Sequence, residues 1–180
     1  MNSEVVTSLL VHLGGAISKG VALALVIPLA AALLLAIPLA PAFALIGTTL
    51  VIEYGAAPVG IGLGLPPLFV FFTLTCVALG VIITLFGIFD SAGEHSDRIK
   101  KFLERSKKRA DGSAMLAKYG IYGLPLVVLT LGFYVCPPVA WICGWDRKLS
   151  ILLTMAGYCA ISAVLIIATG DLLRIIFPQA

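Results

Sequence analysis

Glu53 is the sole charged residue among the 70 positions that separate Lys19 from Asp90. A carboxyl that deep in apolar sequence is costly, and such a group faces a cavity or a partner. Binding and releasing a proton or a cation is the chemistry it suits. A second reading places Glu53 in water at the outer interface, where a first span ends. Gly55 and Pro58 follow at once, and Tyr54 and Gly60 complete the setting. A matching Gly/Pro setting, Tyr119, Gly120 and Pro125, opens a later stretch. These eight residues are the candidate substrate- or ion-binding positions. Backbone N–H groups at the tips of broken helices would favour an anionic group there.

Other chemistry is hard to assemble. Asp90, Asp146 and Asp171 each close or precede an apolar run and read as interfacial stop signals rather than relay members. His12 and His95 are far apart, so no metal site is expected. Cys76, Cys136, Cys143 and Cys159 lie in apolar segments without zinc spacing and read as packing residues. No nucleophile elbow, phosphate loop or metalloprotease pattern occurs. The expectation is therefore no enzyme and no cofactor.

What must position Glu53 is a membrane fold. The chain has 180 residues, 61% apolar and 12% charged, with a mean hydropathy of +1.11. Ordinary soluble domains carry about 25% charge. That balance excludes a disordered chain, a nucleic-acid-binding arm and a disulfide-stapled module, and argues against a soluble enzyme. Charge is missing from 20–52, 54–89, 119–145 and 149–170. A crossing needs about 20 residues. Stretch 149–170 fits one crossing, whereas 20–52 and 54–89 each hold a span plus something shorter.

Gly and Pro mark the shorter pieces. Residues 53–67 contain Gly55, Pro58, Gly60, Gly62, Gly64, Pro66 and Pro67 and cannot form one regular helix. Irregular backbone at membrane depth must be shielded by protein or by a wet cavity. A re-entrant hairpin over 53–67 satisfies both. Residues 119–145 share this character and read as a second hairpin, with a single kinked span as the alternative. Gly60 and Gly64 have helix-packing spacing, or else serve close backbone approach.

Residues 90–118 hold 13 of the 21 charges, eight of them basic, and are expected to be cytoplasmic. That loop reads as a topology determinant resting on the surface, or as a lipid or partner surface. The N-terminus lacks the features of a signal peptide. Residues 3–18 read as an interfacial amphipathic helix. A first span over 21–40, kinked at Pro28, follows. The predicted fold is all-α: an integral membrane protein with about three full transmembrane helices (21–40, 68–89, 149–170). Two re-entrant helical hairpins stand in an inverted repeat, opened by Glu53-Tyr54-Gly55 and Lys118-Tyr119-Gly120. Pro66-Pro67 and Pro137-Pro138 close them. Residues 1–180 form one polytopic domain, with halves at about 1–89 and 119–180.

The run Glu53-x-Gly55-Ala56-Ala57-Pro58-x-Gly60, then Gly64-Leu65-Pro66-Pro67, resembles the signature of the small multidrug export protein family. So does Lys118-Tyr119-Gly120-x-x-Gly123-Leu124 with its following hydrophobic hairpin. That family is a distant branch of the DedA-like (VTT) membrane proteins. The resemblance covers roughly 43–170. It implies two facing re-entrant hairpins packed by spanning helices, transport with the hairpin carboxyl as coupling site, and often a homodimer. For DedA-like relatives it implies phospholipid or polyprenyl-phosphate carrier-lipid substrates. The family commonly has Arg after the hairpin Glu; here Tyr54 stands instead, which weakens recognition of an anionic lipid.

The functional expectation is a small secondary transporter, or lipid or small-molecule translocase, of the cell membrane, proton-coupled through Glu53. Against it stand a non-transporting, lipid-organising membrane protein, favoured by the scarcity of polar residues to line a pathway, and, less favoured, a lipid-phosphate enzyme. Membrane lipids and a second copy are the expected partners, and nucleic acid is not.

Overall fold

The computed structural model describes residues 13–95 and 120–176, and every described element is helical. The interfacial helix over 3–18 and the loop 90–118 fall mostly outside these residues. Helix α1 is Leu13–Leu34, α2 is Leu39–Ile52, α3 is Ala56–Gly62 and α4 is Pro67–His95. Helix α5 is Leu124–Leu131, α6 is Cys136–Cys143 and α7 is Arg147–Ile176. Helix is what an apolar solvent demands, because each backbone polar group then finds its partner within the segment.

Among the described residues, four stretches are long and apolar enough to cross a membrane: Leu13–Leu34, Leu39–Gly62, Pro67–Ser91 and Arg147–Leu172. The chain is thus a multi-span membrane protein. Leu39–Gly62 is one more than the three stretches expected to cross, and it is not straight. It breaks at Glu53, and α3 turns back on α2. A Cβ at Gly60 would stand 2.9 Å from Leu45 Cδ1, although the two residues lie on opposite limbs of the break.

Helix α1 begins earlier than predicted and carries Leu13 and Ile17 in one helix with the span. Pro28 sits just after a local widening of this helix. Proline crowds the carbonyl four residues back and offers it no N–H. The helix widens into a π turn over Ala22–Val26, where the N–H of Ile27 donates to Ala22 O. Ala36, at φ 53, then reverses the chain, and Pro38 precedes α2.

Helix α4 is the most buried of the four stretches. Phe69, Val70, Leu74, Ala78, Ile82 and Phe86 line its inner face. Against α1 it packs through glycine. A Cβ at Gly20 would stand 2.7 Å from Gly80 O, and one at Gly80 only 2.6 Å from Gly20 O. Such contact needs small residues on both helices.

Helix α7 runs antiparallel to α4. Arg147 Nη1 donates to Asp90 Oδ2 at 2.7 Å, and its guanidinium lies 5.5 Å from the Phe86 ring centre. Both partners are half exposed, so this pair fixes register more than it stabilises. Thr75 and Cys159 meet at 3.8 Å further along the same seam. Asp146 caps α7, its Oδ1 accepting the N–H of Leu149 at 2.9 Å.

Candidate functional site

Two helix breaks meet at the centre of the molecule. In the first, α2 ends at Ile52, Glu53 takes φ 53 and ψ −127, and a 3-10 turn over Glu53–Gly55 leads into α3. A non-glycine residue rarely adopts that backbone, which costs about 1–3 kcal/mol and collects at functional sites. In the second, α5 ends at Leu131, Gly132 takes φ 83, and a 3-10 turn over Phe133–Val135 leads into α6. Here too the chain doubles back, for Cys136 Sγ lies 3.9 Å from Leu124 O.

The two breaks bind each other. Glu53 Oε2 accepts the N–H of Phe133 at 2.9 Å. The Tyr134 hydroxyl donates to Leu50 O at 2.6 Å, and the Tyr54 hydroxyl donates to Leu129 O at 3.4 Å. Last-turn carbonyls of a helix have no partner in their own helix, so each tyrosine satisfies one on the opposite break. Gly132 leaves the room: a Cβ there would overlap both carboxylate oxygens of Glu53. Phe133 stacks on Tyr134 at 4.4 Å and meets Tyr158 of α7 edge-on at 5.2 Å, while Tyr54 lies 6.4 Å from Tyr158.

The site is therefore one carboxylate held by one backbone N–H among aromatic rings. Among the described residues the sole ion pair is Arg147–Asp90, so Glu53 has no cationic partner there. A negative charge beside π faces attracts cations and repels anions.

Several sequence expectations move. Glu53 does not open a hairpin over 53–67; it is the turning point of Leu39–Gly62. The uncharged run Thr48-Thr49-Leu50-Val51-Ile52 before Glu53 carries no breaker and hides the incoming limb. Gly55 and Pro58 lie with Glu53 and Tyr54 at the tip. Gly60 lies in the packing, where a Cβ would also crowd Val70 Cγ2 at 2.8 Å. Gly64, paired with it by spacing, faces open space and ends α3 at φ 75. Gly120, at φ 49, begins the turn before α5, and Pro125 packs on Gly157 of α7, so neither lies at the Glu53 tip. Tyr119 and Lys118 lie outside the described residues. Pro137 and Pro138 do not close the second unit; they start its return limb, where a missing N–H costs nothing.

A second match to the first break lies 80 residues on, the separation across which Phe133 meets Glu53. Tyr54-x-x-x-Pro58-Val59 recurs as Tyr134-x-x-x-Pro138-Val139. Gly64 and Gly144 both take positive φ, and helices start at Pro67 and Arg147. That tyrosine–proline–valine spacing is a signal in the sequence that points to Tyr134 and its neighbour Phe133, which the candidate positions lacked together with Tyr158.

Fold and site together define a polytopic helical membrane protein whose core is a pair of broken helices sharing one acid. The family model "Putative small multi-drug export protein" matches residues 53–166, from Glu53 itself to Ile166. The chain belongs to that family. No curated protein and no solved structure matches it.

Proposed function

We propose that this chain is a proton-coupled exporter of lipophilic organic cations, with Glu53 as the site that proton and substrate share in turn. The observation that carries this reading is the Glu53 carboxylate at a strained helix break, bonded to Phe133 N–H, ringed by aromatics and unpaired by any described cation. The family description supports export. On this reading α1, α4 and α7 cross the membrane fully. Leu39–Gly62 and 120–143 are re-entrant hairpins that enter from opposite faces and meet tip to tip, the inverted repeat of secondary transporters. The N-terminus and loop 90–118 face the cytoplasm, and the membrane is the cell membrane. Val51 and Leu131, at 80% and 63% exposure beside a part-buried acid, fit cover by lipid and a second copy. The chain is not an enzyme on this reading. A groove of about 650 Å³ at the ends of α1 and α4, lined by Leu35, Phe69 and Phe72, lies apart from Glu53 and suits an acyl chain of the surrounding bilayer.

The test is uptake of tetraphenylphosphonium into proteoliposomes under an imposed pH gradient. Wild-type protein accumulates it, and Glu53→Gln reduces accumulation about tenfold or more, with Glu53→Asp intermediate. Equal accumulation by wild type and Glu53→Gln overturns the reading. Preference for a fluorescent anionic phospholipid over the cation would transfer the chain to the translocase class.

A further inference from the structure

The last turns of α2 and α5 are uncovered. Leu50, Val51 and Ile52 are exposed at the end of α2, and Leu129, Thr130 and Leu131 at the end of α5. Two hydrogen bonds stitch these ends together, Tyr134 to Leu50 O and Tyr54 to Leu129 O, and both lie at the surface. Glu53, part-buried, sits where the ends meet. The threonines of these turns add no wetness. Thr48 donates to Ala44 O at 2.8 Å, Thr49 to Leu45 O at 2.6 Å and Thr130 to Leu126 O at 3.1 Å, each back onto its own helix. Exposed hydrocarbon therefore borders one acid. Helix α2 has 14 residues, so on the re-entrant reading its tip lies about 20 Å from the face it enters, within a hydrocarbon core of about 30 Å.

Lipid and a second copy are the candidate covers, and charge separates them. A two-fold pair seated on this face would bring one Glu53 towards another. No described cation offsets either carboxylate, and like charges repel most strongly where water is excluded. Lipid tails bring no charge to this depth, and a lipophilic cation dissolved among them brings the opposite one.

We propose that this face is a lateral doorway, through which lipophilic cations reach Glu53 sideways from the bilayer interior, between Val51 and Leu131. This deepens the exporter reading and rests on it. The doorway selects by partition. A cation must first dissolve in hydrocarbon, so a hydrophilic cation of equal charge is turned away before it meets the acid.

The experiment is carboxyl labelling of the full chain in liposomes by two carbodiimides, the lipid-soluble dicyclohexylcarbodiimide and a water-soluble, membrane-impermeant one. Mass spectrometry reads modification at Glu53, with Glu53→Gln as the blank. The lipid-soluble reagent is expected to modify Glu53 about tenfold faster or more, and tetraphenylphosphonium to slow that reaction. Val51→Trp and Leu131→Trp narrow the opening and are expected to slow it about tenfold, whereas Leu34→Trp, 87% exposed at the far end of α1, leaves it unchanged. Circular dichroism shows which variants are folded, and one folded doorway variant suffices. The doorway is overturned by a Glu53 that the lipid-soluble reagent leaves untouched, that the soluble reagent modifies as fast, or that reacts as fast in a folded doorway variant as in wild type. Efficient disulfide cross-linking of two copies through Val51→Cys, and not in wild type, names a second copy as the cover and overturns it likewise. Lipid-side modification that tetraphenylphosphonium does not slow keeps the doorway and removes the cation-exporter reading.

Discussion

Gly132→Ala is expected to dismantle the centre of the molecule. Two penalties coincide at that position. Its backbone has φ 83 and ψ 173, a region that essentially glycine alone occupies, and strain there costs about 1–3 kcal/mol. Its new methyl would also overlap both oxygens of the Glu53 carboxylate. The carboxylate must then leave Phe133 N–H, a charge-assisted bond worth about 1.5–3 kcal/mol. Gly64→Ala separates the terms, because Gly64 has φ 75 and open space around it, so that variant bears strain alone. Thermal unfolding in detergent should place Gly132→Ala well below Gly64→Ala. Adding Glu53→Ala to Gly132→Ala should recover part of the loss, since the overlapping side chain is gone. Equal losses for the two glycines would mean that Glu53 does not rest against Gly132.

Gly80→Val is expected to pry α1 from α4. At 2.6 Å from Gly20 O and 3.0 Å from Ala24 N, the added carbon meets backbone, which cannot rotate away as a side chain can. Overpacking of this kind costs about 1–3 kcal/mol. Gly47→Val on α2 is the control, for nothing lies within 4 Å of that Cβ. It should be neutral within about 0.5 kcal/mol. The measurement is again unfolding in detergent, and a Gly80→Val protein as stable as Gly47→Val would refute the seam.

Hydropathy made the membrane class legible, because the cost of burying charge in lipid leaves long charge-free runs. It also made Glu53 legible, as the exception within such a run. The position of the first break was not legible. Leu39–Ile52 is apolar throughout, and its Pro41 and Gly47 lie in its first turn and its middle, so no Gly or Pro at its end announces that it stops at Ile52, and the irregular sequence begins only after the tip. The second break was framed better by its flanks but misaligned internally. Tyr119-Gly120 resembles Tyr54-Gly55 as letters, whereas the physical equivalence rests on a residue of positive φ, a tyrosine reaching an opposite carbonyl and a proline in the return limb. Contacts between breaks, such as Phe133 with Glu53, are long-range and leave no local pattern.

Glu53 meets its own 80-residue counterpart, and that counterpart contributes a backbone N–H and no second acid. On the exporter reading, a centre so built can neutralise a single positive unit at a time. Trading one monovalent drug for one proton displaces no net electricity, so the voltage across the bilayer would neither help nor hinder the cycle. The attainable enrichment would then follow acidity alone, about tenfold per unit of pH difference, each decade corresponding to about 1.4 kcal/mol.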